Sequence, residues 1–355
     1  MSAEKPVRIG FVGVGGMGQC AHLRNYLTIP GCEVVAIAEI RERTAAMVAQ
    51  RYGIQKVYKD HGEMLANEDL DGIVASQPFN RHGVLLPELM KAGKPIFIEK
   101  PLASTLEAGE GIVRALAEAE SWVMVGYHKR SDPASMYARN LMNEWQASGT
   151  YGGLKYVRLL MPAGDWVANG FLEMVDAGDR GDTGPLAVEP PPTDMSAEAY
   201  QQYNAFVNYY IHQVNLLRFF LGEPYRVTYA DPAGVLLVAV SESGVTGTIE
   251  MSPYTNTIDW QESAFVCFEH ATIDVGLVAP LASNRPGSVE VMTDPGGGAT
   301  PMVCRPHLPW IHAMRQQAMN FVAAIRGEAR PPCEAPEALQ DLQVAREYLR
   351  LWKGC

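Results

Sequence analysis

Five short, β-branched apolar runs alternate with stretches of helical spacing over residues 1–126, and this alternation limits the chain's fold more than any other feature. The runs are Val7–Val12, Val34–Ala38, Ile73–Ser76, Ile96–Ile98 and Val123–Val125, with Val57–Tyr58 a weaker sixth. Uninterrupted apolar strands belong to sheets buried on both faces. The intervening stretches, Met17–Leu27, Glu42–Tyr52, His82–Ala92 and Leu106–Ala119, read as helices, and several end at turn punctuation such as Gly53 or Ala92-Gly93-Lys94-Pro95. Strand–helix alternation of this kind predicts an α/β domain with a doubly wound parallel sheet.

Beyond Gly126 the pattern changes. A helix over Pro133–Ala147 precedes strand-like runs at Leu154–Met161, Arg226–Tyr229, Val235–Val240, Val245–Met251, Ala264–Phe268 and Val289–Met292. Short turns such as Ser241–Gly244 predict a mostly antiparallel sheet, so this half reads as α+β. Two helices, Ile311–Ile325 and Pro336–Trp352, close the chain, and residues 162–204 form a long irregular excursion containing Pro185 and Pro190-Pro191-Pro192. A length of 355 residues suits two domains, expected at 1–126 and 127–355.

The net charge of −11 argues against general nucleic-acid binding, which needs clustered cations. No apolar run is long enough for a membrane helix, and the start holds no apolar signal core. Cys20, Cys32, Cys267, Cys304, Cys333 and Cys355 lack metal-site or disulfide-frame spacing. They read as reduced thiols, no metal is expected, and the expected compartment is the cytoplasm.

Gly13-Val14-Gly15-Gly16-Met17-Gly18 follows the first strand and opens the first helix. Its glycines permit a tight turn and close approach to a pyrophosphate, which the helix N-terminus attracts. Glu39 ends the second strand twenty-one residues beyond Gly18, where a carboxylate accepts from ribose hydroxyls. That favours NAD over NADP. Arg41 and Arg43 could hold a 2′-phosphate if Glu39 turned aside, although a solvated first helical turn accounts for them as well.

Glu99-Lys100-Pro101 lies at the carboxyl end of the fifth strand, where open α/β sheets keep their ligands. Proline holds Lys100 extended and so directs its ammonium. Ser76-Gln77-Pro78-Phe79-Asn80-Arg81-His82 occupies the same end of the preceding strand, making Ser76, Pro78, Asn80 and His82 cofactor candidates beside Glu99 and Lys100.

These segments, with Ala92–Ala103 as a whole, resemble the Gfo/Idh/MocA family, the glucose–fructose oxidoreductase and inositol dehydrogenase relatives. The resemblance is close over the first domain and looser beyond it, through Asp132-Pro133, His212…Arg218…Gly222 and Ala324–Gly327. It implies an NAD(P)-binding Rossmann domain and an open-faced sheet domain that often mediates oligomers. It also implies redox chemistry at a sugar or cyclitol carbon, with Lys100 assisting proton transfer.

Asn208, His212 and Asn215 share one face of a helical stretch. The resemblance makes His212 a catalytic candidate, but the family often carries aspartate where this chain has Asn208 and Asn215. Asparagine orients or hydrogen-bonds and cannot relay a proton, so relay rests on Lys100 and His212. His128-Lys129-Arg130 reads either as a cationic wall for an anionic substrate or as a solvated hinge. Asp165 and Trp166, with one or two of Tyr203, Tyr209, Tyr210 and Trp260, are candidates for holding a sugar. The leading expectation is an NAD-dependent oxidoreductase of a sugar, cyclitol or sugar derivative. A redox-neutral NAD-dependent glycoside hydrolase and a dinucleotide-sensing regulator remain open.

Overall fold

The computed structural model describes residues 5–181 and 184–354; Cys355 and the first four residues of the expected start lie outside them. The first sheet has six parallel strands: β1 (Val7–Val12), β2 (Cys32–Ala38), β3 (Lys56–Tyr58), β4 (Gly72–Ala75), β5 (Ile96–Glu99) and β6 (Val123–Gly126). Their order is β3-β2-β1-β4-β5-β6, so the order reverses between β1 and β4. A ligand crevice opens at such a reversal, beyond the carboxyl ends of the strands. Ile9, Phe11, Ile37, Val74 and Phe97 are fully buried, as expected of a sheet covered on both faces.

The segment after the glycine turn is not a plain α-helix. It is π-helical over Gly18–Leu23 and then closes as α1 (Arg24–Tyr26). Composition cannot distinguish these hydrogen-bond registers, and π-turns tend to sit at functional sites. The other helices here are α2 (Glu42–Tyr52), α3 (His61–Asn67), α4 (His82–Met90) and α5 (Leu106–Ala117). Helix α3, absent from the sequence reading, starts where the Asp60 side chain accepts from the Glu63 N–H.

Helix α6 (Pro133–Ser148) and strand β7 (Leu154–Ala163) open the second half. Then come α7 (Ala197–Leu221), β8 (Tyr225–Ala230), β9 (Leu236–Ser241), β10 (Thr246–Thr255), β11 (Glu262–Phe268), β12 (Ala271–Leu277), β13 (Ser288–Thr293), β14 (Met302–Cys304), α8 (Ala313–Ile325) and α9 (Ala335–Lys353). The excursion is therefore shorter than expected, since β7 extends into it and α7 begins at Ala197. Strands β12 and β14 escaped the sequence reading. In β12, Asp274 and Gly276 are poor strand formers on the face away from the core.

The eight strands run β14-β13-β12-β11-β7-β10-β9-β8 and are antiparallel except for the β7/β10 pair. One face buries Val157, Leu159, Ile249, Val266, Ile273 and Val275, and helices α6 and α7 pack against the sheet. The other face is partly exposed.

Contacts divide the chain into two compact units. The first comprises the described parts of Met1–Tyr127, Asn169–Thr193 and Gln317–Leu342, and the second those of His128–Ala168, Asp194–Gln316 and Gln343–Cys355. Two stretches expected in the second domain thus pack with the first. The reason for 317–342 is aromatic: fully buried Phe321 meets Tyr26, Phe97 and Trp122 edge-on or tilted, with centroids 5.6–6.4 Å apart. The same stretch satisfies β6, whose Val125 N–H donates to the Cys333 carbonyl. Stretch 169–193 is held by hydrogen bonds described below.

Within the second unit, Asp132 caps α6 by accepting from the Ala134 N–H and also receives the Gly287 N–H. Burial pushes its carboxyl up from 3.8 to about 6, against the opposing effect of those two donors. The folded state therefore binds this proton more tightly than the unfolded chain. The associated stabilisation is complete below about pH 4 and is lost as pH rises through about 6. Asp132→Asn keeps a capping oxygen and should remove that loss. Its thermal midpoint relative to wild type should climb between about pH 4 and pH 7, and a constant offset would assign the pH dependence elsewhere.

Candidate active site

At the nucleotide end of the first unit the chain turns with Gly13 at φ +91°, a conformation that favours glycine. A Cβ there would lie 2.6 Å from the Ser76 carbonyl oxygen, and one on Gly18 would lie 2.7 Å from the Gly13 carbonyl oxygen. Both would force the turn open. A Cβ on Gly15 would meet nothing nearer than Arg41 at 3.8 Å, so the backbone is bare on that side. Ser76 and Gln77 close the turn from β4, with Gln77 Nε2 donating to the Val12 carbonyl and Arg81 donating to Gln77 Oε1.

Glu39 stands at the end of β2, buried, and accepts from the Val14 N–H at 3.0 Å. Arg41 grips it bidentately, Nε to Oε1 and Nη2 to Oε2, both at 2.9 Å. Burial alone would raise the Glu39 pKa, but the donors from Arg41 and Val14 outweigh it and hold the carboxyl below its ordinary value. Arg41, a candidate cofactor contact, is thus paired with Glu39. The glycine turn, open at Gly15, and the ionised carboxylate fit a dinucleotide with free ribose hydroxyls.

Lys100 follows β5, and its peptide bond to Pro101 is cis. Behind it lies a pair that sequence reasoning missed. Glu99 Oε1 meets His22 Nε2 at 2.6 Å, while Glu99 Oε2 accepts the Lys100 N–H at 3.2 Å. Burial opposes ionisation of Glu99, yet His22 and Lys100 together hold its pKa below the ordinary value. His22 comes from the π-helical turn, so that turn and the lysine loop are joined through one carboxylate.

His82, expected to touch the cofactor, has another task. It is fully buried, its Nδ1 lies 3.0 Å and 3.2 Å from the Pro101 and Leu102 carbonyls, and burial lowers its pKa to about 4. A neutral imidazole donating there pins the backbone just after Lys100. Asn80 uses its carbonyl to accept the Glu189 N–H. Glu189 in turn accepts from the N–H groups of Gly83 and Ser104.

In the second unit, His212 and His128 meet edge to face with ring centroids 4.7 Å apart. Along α7, Asn208 is exposed, His212 half-buried and Asn215 buried, so the three form one stripe running into the interior. The cationic wall is not what the structure shows. Lys129 is ion-paired with Glu262, which also accepts from Gln213 and from Trp260 Nε1. Arg130 is buried, donates through Nε to Asn215 Oδ1 at 2.5 Å, and lies over the Phe219 ring. Both cations are used inside the unit because a buried charge needs a counter-charge or hydrogen bonds.

Asp165 accepts the N–H groups of Val167 and Ala168, shaping a turn that leaves Trp166 partly exposed. Asp165, Trp260, Glu262 and Arg285 border a cleft of ≈ 510 Å³ in this unit; Trp166 does not line it. Among the described residues no His, Cys, Asp and Glu group could hold a metal.

Residues 7–127 match the Gfo/Idh/MocA family, an oxidoreductase family with an NAD-binding Rossmann fold. Over this stretch, about a third of its length, the chain is similar to the Gfo/Idh/MocA oxidoreductases. An inositol 2-dehydrogenase of Rubrobacter xylanophilus is 32% identical over 147 residues, which spans 41% of each chain. A scyllo-inositol 2-dehydrogenase (NAD(+)) of Bacillus subtilis is 26% identical over 273 residues, 72% of this chain and 70% of the relative. The fold of a putative myo-inositol dehydrogenase from Sinorhizobium meliloti matches 98% of both chains at a TM-score of 0.69 and 21% identity. The Gfo/Idh/MocA match covers the glycine turn, Glu39 and Lys100, but does not reach the His212 stripe.

Proposed function

We propose that the protein is an NAD-dependent dehydrogenase of a neutral cyclitol or sugar, oxidising a secondary hydroxyl to a ketone. The observation that carries this reading is Lys100 at the carboxyl end of β5, joined through Glu99 to the turn that follows the glycine fingerprint. Bound NAD supplies the hydride acceptor. Lys100 is the group that takes the hydroxyl proton, while Glu99 and His82 hold its backbone from either side. In the second unit, His212 is a candidate proton-transfer group, with His128 against its ring.

A neutral substrate agrees with Lys129 and Arg130 being engaged within their own unit, and the inositol-acting relatives have the same character. The partly open face of the eight-stranded sheet, with Tyr229 and Val303 exposed, supports a homo-oligomer, which light scattering would reveal as a mass above one chain. No described helix is long and apolar enough to cross a membrane. The five described cysteines are all free, which supports the cytoplasm; disulfides in the protein isolated under non-reducing conditions would contradict it.

The test is NADH formation by purified protein over a panel of inositols, aldoses and glycosides. Turnover with a cyclitol or free sugar is expected. Sugar release from glycosides without net NADH would replace the dehydrogenase by a redox-neutral hydrolase. NAD binding with no turnover across the panel would favour a regulator.

A further inference from the structure

Residues 169–181 form a strap that crosses the first unit from the glycine turn to the start of α2. Phe171 and Met174 lie against Gly16, where an added Cβ would come within 3.3 Å of either side chain. Val175 is clamped by the buried Gln19 side chain, which donates to its carbonyl and accepts its N–H, both at 2.9 Å. Gly181 packs on Ile40, close enough that a Cβ would lie 2.7 Å from Ile40 Cδ1.

Between those anchors the strap delivers two carboxylates. Helix α2 has no side-chain cap of its own at Arg41. Asp179 supplies one from 136 residues away, accepting the Arg43 N–H at 2.8 Å, the Thr44 N–H at 3.2 Å and the Thr44 hydroxyl at 2.6 Å. Asp176 reaches the same hydroxyl at 3.4 Å. Arg41, turned onto Glu39, also feels the charge of both aspartates.

An adenosine 2′-phosphate is ordinarily held beyond this strand end by arginine and favoured by free helix N–H groups. Here Arg41 is occupied by Glu39, and the α2 donors are occupied by Asp179. We propose that Asp179, assisted by Asp176, is a second determinant of cofactor choice, excluding NADP by occupying the α2 N-terminus and repelling the phosphate. Glu39 selects for free ribose hydroxyls; the strap blocks the alternative arrangement in which Arg41 and Arg43 would turn to a phosphate. The proposal rests on the NAD reading of the glycine turn and Glu39.

The experiment measures dissociation constants by calorimetry for NAD, NADP, 5′-AMP and adenosine 2′,5′-bisphosphate, on wild type and on Asp176→Asn/Asp179→Asn. The asparagines keep capping oxygens and remove the charge. Affinity for NADP and the bisphosphate should rise at least about tenfold, with NAD and 5′-AMP changed by less than about threefold. Unchanged affinity for the two 2′-phosphorylated probes, with the thermal midpoint preserved, would overturn the proposal. Glu39→Gln provides a test that leaves the strap intact. It should still reject NADP, and a switch to NADP preference would make Glu39 the sole determinant and overturn the role of Asp179. Wild type preferring NADP would instead refute the NAD reading itself, an outcome visible before any variant is made.

Discussion

Lys100→Met is expected to lower kcat by about 10²- to 10⁴-fold, the usual contribution of a general acid–base group. Methionine keeps a side chain of lysine's stem length, apolar throughout, and deletes the terminal nitrogen that would accept the hydroxyl proton. The Glu99–His22 contact does not involve the Lys100 side chain, and the Lys100 N–H to Glu99 bond is a backbone contact that the substitution keeps. NAD affinity by calorimetry should therefore stay within about threefold of wild type, and the thermal midpoint should barely move. Fast turnover with the nitrogen gone would remove Lys100 from the chemistry; half the wild-type rate is enough to decide it. A large fall in NAD affinity would make Lys100 a binding residue instead.

The largest stability effect should come from Lys129→Met. Lys129 and Glu262 are 4% and 3% exposed, and the pair sits among Gln213, Trp260 and the ring contact of Lys129 over Trp260. Removing one member of a buried pair leaves a buried charge uncompensated, which costs about 3–5 kcal/mol. Removing both charges costs far less, because the desolvation of Glu262 is no longer imposed. Lys129→Met/Glu262→Gln should thus recover most of the loss, and the difference is the coupling between the two sites. Denaturant unfolding of the whole chain, followed by tryptophan fluorescence, measures it. A single-variant loss below about 1 kcal/mol would mean that water reaches the pair and screens it.

Much of the candidate site's backbone setting was legible because its signals are local. Val7–Val12, Gly13–Gly18 and Glu39 lie within one strand–turn–helix–strand passage, where apolar periodicity and glycine spacing report backbone geometry directly. Lys100 was legible for the same reason: the run Ile96–Glu99 ends immediately before it. The alternation of short runs implied the parallel sheet, and the closely spaced runs after Gly126 implied the second, mostly antiparallel one.

What tertiary structure alone decided are the pairings between distant parts of the chain, which depend on how the elements pack and leave no periodicity. Lys129 and Arg130 read as a charged surface because adjacent cations usually are; burial with Glu262, 133 residues away, and with Asn215, 85 residues away, reversed their meaning. His22 resembled any helical histidine until a π-turn set it against Glu99. The 162–204 excursion showed only its irregularity, through prolines and glycines. That it returns to the first unit and caps α2 with Asp179 follows from a free helix end and a carboxylate meeting in space. Local sequence determines which backbone a residue adopts; only the packed chain determines which charge stands beside it.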